Sequence, residues 1–277
     1  MRIVVTGGTG KGGKWVVRER REAGHDVLNV DVRHDGSPHG QCLVADLTDL
    51  GQALDALSGA EGVVHFAAIP APELRPVGET FRINAMSTWN VFAAAEMHRL
   101  RRVVWASSET VLGLPFDTPP TFAPIDETIE LRPESSYALS KLVGETMAAQ
   151  FARRTGIGFV GLRISNIMEP EDYERFPTFW DDAHLRKWNL WGYVDARDVA
   201  TAARLGLEAD TRGSEICIVA AADTVMTRPS ADLMAEVFPT VPLQRPIEGR
   251  ETLLSIGHAQ HLLGYAPAHR WADHISA

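Results

Sequence analysis

Over the first 164 residues, short runs of consecutive apolar positions alternate with longer stretches in which apolar residues recur every three to four positions. The runs at 2–6, 26–31, 41–45, 62–66, 102–107 and 157–164 predict strands buried on both faces, and the stretches at 12–23, 50–57, 79–99 and 135–155 predict helices. Such alternation predicts an α/β chain with a doubly wound parallel sheet (Rossmann fold), because right-handed crossovers place helices on both sheet faces. Ligands of these sheets lie at the carboxyl ends of the strands.

The pattern changes after residue 164. Residues 165–192 carry Pro170, Pro177, Trp180, Trp188 and Trp191 without a clear period, which predicts a partly irregular segment. A helix is expected from near Asp195, a strand at 215–221, and short helices at 230–238 and 253–263. Residues 1–164 are therefore expected to form a dinucleotide-binding core. Residues 165–277 are expected to form a small interleaved C-terminal substrate lobe, of which about 193–222 returns to the sheet.

The 277 residues are 45% hydrophobic and 23% charged, an ordinary globular composition. With 27 basic and 36 acidic side chains the net charge is −9, which argues against nucleic acid as a partner. No run of about 18 apolar residues exists to span a membrane, and the apolar stretch after Met1 is too short for a signal sequence. A cytoplasmic protein without a membrane partner is the expectation. Cys42 and Cys217 lie far apart in no ligand spacing, and the pair His258 and His261 lacks a third ligand, so no metal site is expected.

Gly7, Thr9, Gly10, Lys11, Gly12 and Gly13 follow the first strand and open the first helix. There glycines permit a tight turn and a close approach of backbone amides to a pyrophosphate. Asp31 ends the second strand, where an acid accepts hydrogen bonds from the adenosine ribose and repels a 2′-phosphate. NAD is expected, and Lys11 and Arg33, either of which reaches toward a 2′-phosphate, leave NADP open. Asp46 and Leu47 are expected at the adenine end, with Phe66, Ala67 and Ala68 lining the channel.

Tyr137 and Lys141 stand four apart, one turn along a helix face. With four Tyr and four Lys in the chain, such a spacing arises by chance with probability of roughly 0.06. A neighbouring ammonium favours the phenolate, as a general base near neutral pH requires. Ser107 and Ser108 end the fifth strand at the same sheet edge, where a hydroxyl meets charge developing on a substrate oxygen.

In motif order the chain resembles the extended short-chain dehydrogenase/reductases, the NAD-dependent epimerase/dehydratase family, over nearly its whole length. The resemblance rests on Thr6-Gly7-Gly8 through Gly13, Asp31, Asp46-Leu47, His65 through Ala68, Asn84, Ser107-Ser108, Tyr137 through Lys141, Arg163 through Asn166, and Tyr193 through Asp198. It implies that Tyr137 is the acid/base, that Lys141 binds the nicotinamide ribose and tunes Tyr137, and that Ser108 orients the reacting hydroxyl. It further implies that Asn84, Ile164 and Asn166 flank the cofactor. It also implies a homodimer through helices 79–99 and 135–155. Lys11-Gly12 and Leu112 depart from the family's usual apolar pair and Tyr.

Three functions are weighed on this basis. The first is net oxidation of a carbohydrate-type hydroxyl (sugar, uronate or polyol) by NAD. Here residues 169–175 resemble the segment of uronate dehydrogenases that carries a carboxylate-binding Arg, making Arg175 a candidate clamp and Glu109 a further substrate residue. The second is a nucleotide-sugar epimerase or dehydratase that reduces NAD transiently. The third is a non-catalytic dinucleotide sensor, which has no need of Tyr137 and Lys141. The shortness of the chain beyond residue 164 favours a small carbohydrate over a nucleotide-sugar.

Overall fold

The structure, a computed structural model, describes residues 1–37 and 41–275. In chain order the strands are β1 (Arg2–Thr6), β2 (Asp26–Asp31), β3 (Cys42–Val44), β4 (Gly62–His65), β5 (Arg102–Ser108), β6 (Gly158–Ile164), β7 (Ile167–Met168), β8 (Val194–Asp195) and β9 (Ser214–Val219). Seven of them form one sheet in the order β3-β2-β1-β4-β5-β6-β9, every pair parallel. The order reverses between β1 and β4, and this opens a crevice at their carboxyl ends.

Helices α2 (Leu50–Leu57), α3 (Val77–Met97) and α4 (Ser136–Thr155) cover one face, burying Ala53, Leu57, Phe92 and Phe151 against Val63, Val103 and Phe159. Helices α1 (Gly13–Glu22) and α5 (Ala196–Glu208) cover the other, with Val16, Val17 and Val199 against Val5, Val64 and Val160. The middles of the central strands are apolar on both faces because neither meets water, and their polar residues, among them Thr6, His65, Ser107 and Ser108, stand at the strand ends. Ser135 caps α4 by accepting the Ala138 amide at 3.1 Å, and Gly156 ends it in the left-handed region at φ 77°.

After β6 the chain leaves the sheet. The two-stranded β7–β8 pair brackets a run of 3-10 turns between residues 170 and 189, α5 returns to the sheet face, and β9 extends its edge. Two short helices follow, α6 (Ser230–Val237) and α7 (Gly257–Leu263). The helix expected over 253–263 is shorter than its apolar pattern, because Leu253 and Leu254 lie extended and fully buried. The Ile125 amide donates to Leu253 O at 2.8 Å and the Ser255 amide to Ile125 O at 2.7 Å, so the backbone there is paired across the fold.

Trp105 in β5 is 1% exposed and fits a slot made by two glycines. A Cβ on Gly161 of β6 would lie 2.5 Å from Ile216 Cδ1 and 3.0 Å from the Trp105 ring, and one on Gly144 of α4 would lie 2.9 Å from it. Such distances leave no room for a methyl group in a close-packed interior. Gly161→Ala is expected to lower stability by about 1–3 kcal/mol; a denaturant midpoint equal to wild type would contradict this packing.

Candidate active site

The glycine loop packs backbone on backbone. Gly7, at φ 72°, would bring a Cβ within 2.5 Å of the Ala67 amide, and a Cβ on Gly13 would meet Gly7 O at 2.1 Å. Gly10 N donates to Gly7 O at 3.0 Å and closes the turn. Among the described residues the amides of Lys11 and Gly12 at the head of α1 have no backbone acceptor, which leaves two donors and the positive helix end facing the crevice. Thr6 Oγ1 bonds His65 Nδ1 at 2.7 Å and accepts the Ala67 amide at 3.2 Å, so the strand ends on either side of the crevice are held together. Burial pushes His65 down to about 3, ahead of repulsion from Lys141, and keeps it neutral.

Asp31 sits at the end of β2 as expected. Its Oδ2 accepts the Thr9 amide at 3.0 Å and Thr9 Oγ1 at 2.7 Å, and Oδ1 accepts the Val32 amide at 2.7 Å. The carboxylate is thereby oriented beside the glycine loop with lone pairs to spare. Arg33 is exposed next to it. Lys11 is paired with Asp172 at 2.5 Å and Lys14 with Glu169 at 2.8 Å, while Trp15 Nε1 donates to Glu169 at 2.7 Å. The glycine-loop helix is thus tied to the segment after β7, and Lys11 is engaged there. A loop of glycines with unpaired amides and a carboxylate fixed beside it fits a dinucleotide.

Of the other positions expected at the cofactor, Leu47 is buried and Asp46 holds the turn into α2 by accepting Thr48 N and Oγ1. Phe66, Ala67 and Ala68 are half-buried along the crevice. Asn84, 2% exposed, accepts the Ile69 amide at 2.7 Å and donates to Ile69 O at 3.1 Å; it shapes the loop after β4. Ser107 donates to Glu145 Oε1 at 2.6 Å inside the core. Ile164 is buried, and Asn166 accepts Arg186 NH1 at 3.2 Å.

Tyr137 and Lys141 occupy the first turns of α4, both less than 9% exposed, beside Ser108 at the end of β5. Lys141 Nζ donates to Ala106 O at 2.7 Å and lies 5.6 Å from the Tyr137 ring centroid. Burial pushes Lys141 down to about 8. Burial likewise pushes Tyr137 up to about 12, against a hydrogen bond with Ser108 and with the charge of Glu109 adding to the rise. This corrects the expectation that the ammonium lowers the phenol: desolvation in the dry corner raises it, and Lys141 Nζ is spent on the Ala106 carbonyl. Ser108 Oγ accepts Thr110 N at 3.2 Å and Thr110 Oγ1 at 3.0 Å, which frees its own proton to point elsewhere.

Glu109 is 3% exposed and accepts Ser165 Oγ at 2.6 Å and Asn189 Nδ2 at 3.2 Å. Burial raises it to about 7 against those bonds and the charge of Arg186. Arg175 is exposed on the 3-10 segment Pro170–Phe179, whereas Arg186, 6% exposed, lies beside Glu109. Arg186 donates to Gly192 O at 2.9 Å and stacks on Trp188 and Phe179. Sequence reading missed Arg186, Asn189 and Ser165, which lie in or next to the stretch without period. Ser165, inside the Arg163–Asn166 motif, was the one within reach.

A profile of the NAD dependent epimerase/dehydratase family matches residues 3–220. The chain is 31% identical over 187 residues to the uronate dehydrogenase of Pseudomonas syringae pv. tomato, covering 64% of each chain, so the match spans just under two thirds of that relative. It is 30% identical over 179 residues to the L-arabinose 1-dehydrogenase (NAD(P)(+)) of Haloferax volcanii, covering 62% of this chain and 69% of the other. The crystal structure of a UDP-galactose 4-epimerase is similar at a TM-score of 0.70 and 28% identity, covering 98% of this chain and 95% of that one. With its glycine loop, Asp31 and Tyr137–Lys141 pair set on a doubly wound sheet and the family profile spanning residues 3–220, the chain belongs to the NAD dependent epimerase/dehydratase family.

Proposed function

We propose that this protein oxidises a hydroxyl of a small carbohydrate with NAD. The observation that carries the reading is the convergence of Ser108, Tyr137 and Lys141 in one buried corner at the crevice edge. Tyr137, in the phenolate form that burial makes the lesser one near neutral pH, takes the hydroxyl proton, and Ser108, whose lone pairs are occupied by Thr110, donates to the oxygen as charge develops. Lys141, fixed by Ala106 O, supplies a positive charge beside the phenol. NAD, when bound, accepts the hydride. The pairing of Lys11 with Asp172 supports NAD over NADP, since that ammonium is committed elsewhere. Similarity to uronate and arabinose dehydrogenases supports a sugar, uronate or polyol, held by residues of the 165–277 lobe, Glu109 and Arg175.

A second reading, epimerisation or dehydration with transient reduction of NAD, draws on Glu109, an acid that titrates near neutral one residue from Ser108. A homodimer through α3 and α4 is supported by Met86, Trp89 and Leu139, each exposed by about two fifths on those helices. No helix of the described residues is long and apolar enough to cross a membrane. The free thiols Cys42 and Cys217 favour a reducing compartment such as the cytoplasm.

Purified protein with NAD and a panel of aldoses, uronates, polyols and nucleotide-sugars is expected to form net NADH from free sugars; conversion of a nucleotide-sugar without net NADH would select the second reading. Tyr137→Phe is expected to lower kcat by roughly 10²–10⁴-fold with NAD affinity retained, and unchanged turnover would remove Tyr137 from the chemistry. Glu109 carries a folded value above its unfolded one, so its stabilising contribution is complete below about pH 4.5 and lost as pH rises through about 7. Denaturant midpoints of Glu109→Gln should therefore fall less than wild type between pH 5 and 8; parallel curves would contradict the burial of an ionisable Glu109. Trp89→Glu is expected to halve the mass seen by light scattering, and an unaltered mass would exclude this dimer face.

A further inference from the structure

Where β2 passes to β3 at the free edge of the sheet, three side chains of different donor type meet, and two of them, His34 and Asp35, line a cavity shared with Gly8 and Thr9 of the glycine loop. His34, Asp35 and Cys42 each offer one ligand atom, and the three atoms lie within 4.8 Å of one another. The parallel register that pairs Asn29 with Cys42 and Asp31 with Val44 lays the start of β3 beside β2, and the chain beyond Asp31 folds back to bring His34 and Asp35 over the thiol. We propose that His34, Asp35 and Cys42 form a binding site for a divalent cation of the zinc type, which cross-links β2 to the outermost strand.

The carboxylate is already held in place from behind. Asn29, fully buried, donates Nδ2 to Asp35 Oδ2 at 2.6 Å, and the Ser37 amide donates to Oδ1 at 2.8 Å. Such supports orient a ligand without using all of its lone pairs. Against the upward push of burial, these bonds and one from Cys42 hold Asp35 down to about 2, so it is ionised at any ordinary pH. His34 Nδ1 accepts the Gly36 amide at 3.0 Å, a lone pair that a metal would take over.

Donor chemistry selects the ion. A nitrogen, an oxygen and a thiolate suit Zn(II) or Co(II) and not Mg(II), which requires oxygen ligands. Tetrahedral bonds of about 2.0–2.3 Å place ligands roughly 3.3–3.8 Å apart, so the three atoms need to close by at most about 1–1.5 Å, with water as the fourth ligand. Burial keeps the Cys42 thiol protonated without metal. Binding releases that proton to solvent, and the thiolate with the Asp35 carboxylate then neutralises the ion. Exposed Arg33 and the nearby Arg21, which donates to Gln41 O at 2.8 Å, consequently face a neutral site in place of the lone Asp35 carboxylate. The standard ligand spacings sought in the sequence miss this cluster, since the register of two strands creates it.

Metal-free full-length protein, kept reduced and titrated with Co(II), is expected to develop a near-ultraviolet thiolate-to-cobalt charge-transfer band that saturates at one ion per chain. Zn(II) should abolish the band and Mg(II) should leave it. Cys42→Ser is expected to lose the band and His34→Ala to weaken Co(II) binding at least tenfold, while Cys217→Ser retains both band and affinity. Circular dichroism and the thermal unfolding midpoint monitor the fold of each variant. Absence of the band in folded wild type, its survival in Cys42→Ser, or its loss in Cys217→Ser would overturn the site.

Discussion

The buried ion pair between Arg163 on β6 and Glu145 on α4 holds together the corner where Ser108, Tyr137 and Lys141 meet. The guanidinium meets the carboxylate with two bonds of 2.8 and 2.9 Å, both side chains are under 9% exposed, and Ser107 on β5 donates to the same carboxylate. Two strands and one helix are thereby registered at a point one residue from Ser108 and one helical turn from Lys141. In a low-dielectric interior the two-fold geometry matters more than the charge alone, and removing either partner of such a pair costs about 3–5 kcal/mol. The arrangement of hydroxyl, phenol and ammonium depends on this brace, although none of its members touches the reacting atoms.

A second constraint acts across the crevice. Glu169 and Asp172, on the segment after β7, clasp Trp15, Lys14 and Lys11 on the glycine-loop side, while Tyr173 of that segment is buried and bonds Asp195 at the head of α5. The phosphate-facing helix end and the irregular segment are consequently one mechanical unit. The partly exposed pairs contribute modestly to stability. Their main effect is geometric, since they decide which lysines are free and where the 170–189 turns lie.

Most of the fold was legible from hydrophobic periodicity. The central strands came out at their observed places because they are buried on both faces, and α3 and α4 because their length leaves no other reading. The helix expected at 253–263 shortened because Leu253 and Leu254 pair with the chain near Ile125, a partner over a hundred positions away. At the site, the glycine loop, Asp31, Ser108, Tyr137 and Lys141 were open to proposal from the sequence because each motif is local. Arg186 and Asn189 were not, because turns without a period carry no signal of where a side chain will point. The ordinary expectation for a Tyr–Lys pair also failed on sign, since spacing reports proximity and says nothing of desolvation.

The sequence by itself determined the alternation of elements and the places of the glycine loop, Asp31, Ser108 and the Tyr137–Lys141 pair at strand and helix ends. These follow from local periodicity and short-range spacing. Tertiary structure alone decided that burial raises Tyr137, that Glu109 titrates near neutral beside Arg186, that Lys11 is spent on Asp172, and that His34, Asp35 and Cys42 meet. Each of these depends on the dielectric around a group or on a partner brought from a distant part of the chain, and neither quantity is encoded in a window of neighbouring residues.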